Sequence, residues 1–223
     1  MTLYMVGTPI GNLGDITMRA LEVLRKAPIV LVEKWEDSVK LLHHFEIRPP
    51  QILKYHDRNF QVMIPKIVEL LQTSDVAFIT SAGMPGVSDP GAQLVAACYE
   101  LGIAVAPIPG PSALSTAIAM SGFTGEFLFV EFIPKKEKAC GKIFDECVAS
   151  GHNLVYFESP YRLKKSIEFL NKLYPDARVF VGKEMTKMFE RYVTDTPTGI
   201  LQLITNDDKF QKGEFTVIVN FTM

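Results

Sequence analysis

The sequence predicts an α/β protein of two lobes, with a parallel sheet in the N-terminal lobe, a mixed sheet in the C-terminal lobe and a ligand cleft between them. The chain has 223 residues, of which 48% are hydrophobic and 22% charged, so it is long enough to bury two cores. Its first half alternates short apolar runs with helical patterns, as parallel sheets do. Its second half ends in strands with little helix between them. We therefore divide the chain into residues 1–111 and 112–223, with a connecting helix at 112–121.

The N-terminal lobe is expected to hold five strands, each a short run rich in apolar residues, separated by amphipathic helices. The first helix follows Asp15 and Thr17, and either side chain could cap the free amides of its first turn. The expected strands are Leu3–Gly7, Pro28–Val32, Gln51–Lys54, Val76–Thr80 and Ala104–Pro107, and the helices are Thr17–Lys26, Glu36–Phe45, Phe60–Gln72 and Pro90–Glu100.

The C-terminal lobe is expected to mix helix-linked strands with strands that follow each other closely. Only one short helix separates the last two strands, which favours a mixed sheet over a parallel one. The expected strands are Phe127–Phe132, Leu154–Phe157, Ala177–Val181, Phe189–Asp195 and Glu214–Phe221, and the helices are Glu137–Ser150, Pro160–Leu173 and Gly199–Thr205.

The charge balance argues against a strongly basic nucleic-acid-binding domain. Lys and Arg number 23 and Asp and Glu 25, a net charge of −2. Only two local clusters are basic, and a solvated helix face is the simpler interpretation of both. These clusters are Lys135, Lys136 and Lys138, and then Arg162, Lys164 and Lys165.

The remaining composition predicts a cytoplasmic protein with neither a metal nor a membrane segment. Three cysteines without a C-x-x-C spacing suit a reducing compartment. His43 and His44 are adjacent and have no third ligand at metal spacing. The uncharged stretch Leu101–Gly125 contains three prolines, which prevent it from forming one continuous spanning helix. The N-terminus does not resemble a secretory signal.

Several common catalytic motifs are missing from the sequence. It contains neither G-x-G-x-x-G nor G-x-x-x-x-G-K-[ST], so a dinucleotide fold and a P-loop are disfavoured. The segment Gly86–Pro90 lacks the second glycine of a nucleophile elbow. These absences weigh against hydride transfer on NAD, nucleotide hydrolysis and serine esterase chemistry.

Three loops rich in small residues follow strands of the predicted parallel sheet. They are Gly7–Asn12, Ser81–Gly91 and Pro107–Ala113. Glycine lets a backbone approach a ligand closely, and proline fixes a loop so that less entropy is lost on binding. One such loop is most simply a turn, but three at the carboxyl edge of one sheet favour a binding site.

These loops, with two segments from the second half, resemble the tetrapyrrole methylase superfamily, and most closely its ribosomal branch. The matching segments appear in order along nearly the whole chain: Leu3–Thr17, Ser81–Gly91, Pro107–Ala113, Phe157–Arg162 and Glu184–Lys187. The resemblance implies a two-lobed homodimer that binds S-adenosylmethionine (SAM) in the cleft between its lobes. It also implies methyl transfer to a ribose 2′-hydroxyl of 16S ribosomal RNA, with the 30S subunit as a possible partner.

The resemblance also carries over a set of cofactor-binding positions. Pro9 is expected to line the pocket from the first loop, and the helix N-terminus at Ser112 and Ala113 to bind the methionine carboxylate. The second loop is expected to contact SAM through Gly83, Met84 and Val87, and the second lobe to close the pocket with Phe157, Glu184 and Thr216.

Three departures from the family pattern bear on the acceptor more than on the cofactor. Where the ribosomal branch has Glu-Asp-Thr-Arg, this chain has Glu33–Glu36, and only the glutamate is kept. Where the family has Asp-Ala-Gly-Thr-Pro-Gly, this chain has Ser81–Gly86 and loses a carboxylate and a hydroxyl. The chain ends at Met223, whereas full-length ribosomal members are expected to continue for some tens of residues.

Two glutamates are the candidates for removing the acceptor proton. Glu33 is the first because it follows the second strand, and Glu184 is the second, with Lys187 available to hold a phosphate or steer it. Either could instead be a paired surface carboxylate. Trp35 could stack on a base or pack at an interface. Asn12 and Asp15 are more simply interpreted as groups that brace the first loop.

Three functions stay open from the sequence. The first is SAM-dependent methylation of RNA, and the second is methylation of another acceptor, such as a tetrapyrrole or a protein, with the same cofactor. The third is a paralogue that binds SAM without catalysis. The acceptor that gains a labelled methyl group would distinguish the first two, and cofactor binding without transfer would indicate the third.

Overall fold

The computed structural model describes residues 1–221 and divides into two compact units, with the boundary between Ser112 and Ala113. Each unit has its own five-stranded sheet.

The sheet of the first unit is parallel throughout. Its strands are β1 (Thr2–Val6), β2 (Ile29–Val32), β3 (Gln51–Lys54), β4 (Val76–Ile79) and β5 (Ala104–Ile108). They pair in the order β3-β2-β4-β1-β5, so β1 lies between β4 and β5. The carboxyl ends of all five strands therefore lie at one edge, which is where parallel-sheet proteins place ligands.

Helices cover both faces of this sheet. They are α1 (Met18–Lys26), α2 (Trp35–His44), α3 (Phe60–Leu70) and α4 (Ala92–Glu100). One buried cluster joins the sheet to α1 and α2, and a second joins it to α3 and α4. Every residue of β2 and β4 is buried as a result, which explains why both strands are wholly apolar.

The first helix shows which of the two expected caps is used. Thr17 Oγ1 accepts a hydrogen bond from the amide of Ala20 at 3.1 Å, which satisfies one free donor of the first turn. Asp15 ends a short 3₁₀ helix just before this cap.

The sheet of the second unit is mixed, as the sequence predicts. Its strands are β6 (Phe127–Phe132), β7 (Asn153–Glu158), β8 (Arg178–Lys183), β9 (Arg191–Asp195) and β10 (Phe215–Asn220). Their order is β6-β7-β10-β8-β9; β6 and β7 are parallel, and the other neighbours are antiparallel.

The described part of the second unit contains four helices: α5 (Ala113–Ser121), α6 (Glu137–Ser150), α7 (Leu163–Leu173) and α8 (Pro197–Asn206). Side chains of α6, α7 and α8 form one buried cluster with the sheet, centred on residues such as Phe144, Ile167 and Val217. Helix α5 contacts β10 and β8. Within residues 1–221, no helix combines the length and apolar character needed to cross a membrane.

Two helices begin two or three residues later than their sequence patterns suggest. Helix α4 starts at Ala92 rather than Pro90, because Gly91 has a φ of 140°, which no helix accommodates. Helix α7 starts at Leu163 rather than Pro160, because the Ser159 carbonyl accepts the Arg162 amide in a tight turn before it.

Replacing Gly141 with alanine is expected to stabilise the protein by about 0.5–1 kcal/mol, since glycine inside a helix is less favourable than alanine by that amount. Gly141 lies inside α6, and an added Cβ would meet Leu173 and Phe169 at an ordinary contact distance of 3.8 Å. The control is Gly151→Ala at the end of the same helix, where φ is 74°. Thermal unfolding should show a gain for the first variant and a loss for the second; equal shifts would contradict the argument.

Candidate functional site

The three small-residue loops meet at the carboxyl edge of the first sheet. The amide of Thr8 donates to the carbonyl of Gly83 at 2.9 Å, and the amide of Gly83 donates back to Thr8 at 3.0 Å. The amide of Gly7 donates to the carbonyl of Ile108 at 2.9 Å. Hydrogen bonds thus join the loop after β1 to both the loop after β4 and the end of β5.

Two glycines let the first and third loops touch through their backbones. A Cβ on Gly110 would lie 2.9 Å from the carbonyl carbon, Cα and oxygen of Gly7. A Cβ on Gly7 would lie 2.7 Å from the nitrogen of Gly110 and 2.6 Å from Met84 Sδ. Real Cβ contacts are not this short, so these positions require glycine on packing grounds.

An open apolar cavity of about 450 Å³ lies beside these loops within the first unit. It is bordered by strands β1 and β5, helix α4 and part of the second loop. Its lining is Met5, Pro85, Gly86, Ala92, Val95, Ala96, Tyr99, Val105 and Pro107. The edge thus combines an apolar surface with exposed loop residues at Gly86 and Pro107, and small-molecule sites use such a combination of apolar lining and a few polar backbone groups.

Glu33 lies at this edge, one residue after β2, and its carboxylate is held by the second loop. Its Oε2 accepts a hydrogen bond from Ser81 Oγ at 3.0 Å and another from the amide of Ser81 at 3.2 Å. The side chain is half-buried. An aspartate at position 81, as in the family pattern, would set a second carboxylate against Glu33, whereas the serine of this chain adds a hydroxyl donor to the backbone amide.

Asp89 is a second carboxyl group near Glu33, and it is not among the residues that the sequence predicts for the site. Burial and the charge of Glu33 raise its pKa from the ordinary 3.8 to about 6, against the opposing effects of a Thr80 hydrogen bond and the charge of Lys34. A perturbed carboxyl group at a ligand-binding edge is typical of functional sites. The local sequence carries no signal for it, because Glu33 comes from a distant part of the chain.

Replacing Asp89 with asparagine is expected to raise the free energy of unfolding above that of wild type at pH 8 but not at pH 4. With a pKa of about 6 in the fold and 3.8 as its ordinary value, the folded state holds the proton more tightly. Asp89 therefore reduces stability as the pH rises from about 4 to about 6, and the reduction is complete above that range. Allowing for partial exposure, we expect a gain of about 1–2 kcal/mol at pH 8 that fades by pH 4. Chemical denaturation of both proteins tests this, and a difference that stays constant with pH would contradict it.

Glu184 lies at the end of the second sheet, and its carboxylate is bound to neighbouring groups. Its Oε1 accepts a hydrogen bond from the amide of Glu214 at 2.8 Å and lies 3.0 Å from Lys187 Nζ. Burial raises the pKa of Glu184, but the Glu214 amide and the Lys187 ammonium outweigh it and leave the pKa below its ordinary value. Lys187 also pairs with Glu214 Oε2 at 2.8 Å. This geometry makes Glu184 a weaker base than Asp89.

Phe157 and Thr216 lie near Glu184 at one end of the second sheet. Thr216 on β10 pairs with Phe157 on β7 and with Gly182 on β8, two residues before Glu184. Thr216 is buried, and the Phe157 ring contacts Phe129 and Phe132 edge-on. The three residues that the resemblance assigns to the second lobe therefore share one end of one sheet.

The remaining selected positions divide between the edge loops and the start of α5. Pro9 is buried, Met84 is half-buried and Val87 is 41% exposed. Ser112 closes the first unit, and Ala113 is the first residue of α5.

Trp35 and the first loop have simple structural accounts. Trp35 starts α2 and is 41% exposed, with Lys54 Nζ 6.0 Å from its ring centroid. Asn12 Oδ1 accepts the amide of Gly14 at 2.9 Å and so braces the loop, as expected. The side chain of Asp15 is exposed and braces nothing within residues 1–221.

In the same range, no group of three or more His, Cys, Asp or Glu side chains is placed to hold a metal ion.

The chain belongs to the tetrapyrrole (corrin/porphyrin) methylase family, whose profile matches residues 2–200. It is therefore a methyltransferase. It is 37% identical to the ribosomal RNA small subunit methyltransferase I of Thermotoga maritima over 98% of this chain and 97% of that protein. It is 36% identical to the enzyme of that name from Halalkalibacterium halodurans, over 98% of this chain and 75% of that protein. The corresponding Vibrio cholerae enzyme is 38% identical over 98% of this chain and 76% of that protein.

The relatives differ in length. The relative from Thermotoga maritima is matched over 97% of its length, whereas those from Halalkalibacterium halodurans and Vibrio cholerae are matched over 75% and 76%. The additional segment expected from the resemblance is therefore a property of some of these relatives and not of all.

Proposed function

We propose that the protein transfers the methyl group of SAM to RNA, with a ribose 2′-hydroxyl of 16S ribosomal RNA as the acceptor. The observation that carries the proposal is the meeting of three small-residue loops beside a held carboxylate at the carboxyl edge of the first sheet. Relatives matched along nearly the whole chain are named ribosomal RNA methyltransferases, which supports RNA as the acceptor class.

The residues at this edge suit SAM in shape and chemistry. Gly86 of the second loop is exposed, and the neighbouring cavity is apolar. In the proposal, Pro9, Gly83, Met84 and Val87 contact the cofactor, and Ser112 and Ala113 bind its carboxylate at the start of α5. The resemblance adds Phe157, Glu184 and Thr216 to the cofactor's surroundings.

SAM supplies a methyl group on a positively charged sulfur, which leaves as a neutral thioether. The work left to the protein is to align the acceptor oxygen and to remove its proton; alignment alone can contribute roughly 7–11 kcal/mol. We assign proton removal to Glu33. As the new O–CH₃ bond forms, a Glu33 oxygen takes the hydroxyl proton, and the donors of Ser81 hold the carboxylate in place.

We extend the proposal to the setting of the reaction. An RNA acceptor places the enzyme in the cytoplasm and makes the 30S subunit the appropriate test substrate. The resemblance also implies a homodimer, which light scattering of the purified protein would test.

Transfer of a tritiated methyl group tests the proposed acceptor. Purified protein and labelled SAM are incubated with 30S subunits or with a cell extract, and the products are divided into nucleic-acid, protein and small-molecule fractions. We expect label in 16S ribosomal RNA that is lost from the acid-insoluble fraction after ribonuclease treatment. Label that stays with protein or in a small pigment would show a different acceptor, and no transfer would overturn the proposal.

A further inference from the structure

Two basic clusters of the second unit, separate in sequence, are brought together by Arg162. Its Nη2 donates to the carbonyl of Ile133 at 2.8 Å and to that of Pro134 at 3.1 Å. The turn before α7 is thereby tied to the turn before α6. Lys135, which follows Pro134, and Lys165 of α7 line the same small recess of about 30 Å³.

Arg162 is itself largely neutralised within the fold. Its Nε lies 3.6 Å from Oε1 of Glu158, whose side chain is completely buried. The five lysines of the two basic clusters are exposed, and none of them forms an ion pair within residues 1–221. They are Lys135, Lys136, Lys138, Lys164 and Lys165.

This part of the surface differs in charge from the rest of the chain. Residues 131–138 and 158–165 contain six basic and three acidic side chains, a net charge of +3. The whole chain has a net charge of −2, so the remainder carries −5. A positive region on a negative protein attracts a polyanion to one place.

An exposed aromatic ring stands within the same region. The side chain of Tyr161, between the two clusters, is 96% exposed and so contributes almost nothing to the core. The helices that begin here, α6 and α7, have no side-chain cap on their first turns, which leaves backbone donors at both N-termini.

We propose that this lysine–tyrosine surface, formed by the five lysines and Tyr161, binds the RNA substrate outside the methyl-transfer site. The lysines contact phosphates, and Tyr161 stacks on an unpaired base. The proposal rests on the proposed RNA methylation. RNA fits better than an acidic protein or a lipid surface, because stacking gives the exposed ring a partner that phosphate-only binding would not.

The test compares two double variants with equal loss of charge. Lys135→Gln with Lys165→Gln changes the surface, and Lys142→Gln with Lys172→Gln changes exposed lysines farther along the same helices. The probe is a fluorescent single-stranded polyuridylate of about 20 nucleotides, titrated at several salt concentrations. We expect the first variant to bind at least tenfold more weakly, with a salt slope smaller by about 1.4, and the second to match wild type.

A second pair of variants tests the ring. Tyr161→Ala should weaken polyuridylate binding about 5- to 100-fold with little change in salt slope. Phe189→Ala, which removes another exposed aromatic ring, should have no effect. Equal binding by the surface and control variants would overturn the proposal. The proposal would also be overturned if the surface variants bound vesicles of phosphatidylserine and phosphatidylcholine more weakly than wild type but bound polyuridylate as well as wild type.

The outcome is separable from that of the proposed function. If wild type, the surface variants and the control variants all methylate 30S subunits equally well, the proposed RNA-binding role of the surface is wrong and the proposed function stands. If the wild-type protein methylates no RNA, the proposed function itself is wrong. Titration with SAM should be the same for all these variants, because they lie outside the proposed cofactor residues.

Discussion

Replacing Glu33 with glutamine is expected to lower the turnover rate for methyl transfer by about 10²- to 10⁴-fold while leaving SAM binding intact. Glutamine keeps an oxygen that can accept the hydrogen bonds of Ser81, but it cannot take the acceptor proton as a carboxylate does. The measurement is the initial rate of labelled methyl transfer to 30S subunits at saturating SAM.

Glu36→Gln is the matched control for this variant. Glu36 is an exposed glutamate in the first turn of α2, a few residues from Glu33. Its replacement with glutamine removes the same charge as Glu33→Gln. It should keep turnover within about twofold of wild type. A Glu33→Gln enzyme that turns over at the wild-type rate would show that another group removes the proton, with Asp89 the next to test.

Replacing Gly110 with alanine is expected to destabilise the protein by about 2–3 kcal/mol and to weaken SAM binding at least tenfold. The added Cβ would lie 2.9 Å from three backbone atoms of Gly7, so one of the two loops must move. Overpacking of this kind typically costs about 1–3 kcal/mol, and here both loops belong to the proposed cofactor site. The expected fall in Tm is roughly 5–10 °C for a chain of this size.

Gly14→Ala is the control from the same region of the chain. A Cβ there would meet only the Asn12 side chain, at 3.2 Å, and no backbone atom within 4 Å. Its Tm and SAM affinity should stay close to wild type. If Gly110→Ala behaved like Gly14→Ala, the loop contact would have no role in stability or binding.

Much of the fold can be predicted from the sequence, because the hydrophobic pattern of each helix or strand is visible within a short segment. Strand β3 and helix α6 have the bounds that their patterns predict. The parallel sheet follows from strands buried on both faces, which must be apolar at every position. The start of β9 was misplaced: it begins at Arg191 and not at Phe189, because the Glu190 amide closes a turn onto the Lys187 carbonyl.

The candidate site was predictable where its residues follow strands and not where partners come from far along the chain. Glu33 could be predicted as a candidate because it follows a strand of the parallel sheet, and such strands lead to the ligand edge. Its partner Ser81 was visible only as a departure from the family pattern. Asp89 was missed because its raised pKa depends on burial and on Glu33, neither of which the local sequence shows.

The surroundings of Glu184 also depend on a partner from far along the chain. Its position in the family pattern made it a candidate base, and Lys187 was expected to steer it. The amide of Glu214, which comes from the other end of the second unit, completes a set of donors around its carboxylate. Those donors hold the pKa down, which sequence spacing alone does not reveal.

Isothermal titration with SAM and with S-adenosylhomocysteine tests the central claim most directly, namely that the loops at the edge of the first sheet form a cofactor site. The account predicts binding near the micromolar range by wild-type protein and by Gly14→Ala. It predicts binding at least tenfold weaker for Gly110→Ala at a temperature where that variant is still folded. Absence of binding by either compound to wild-type protein would contradict the account.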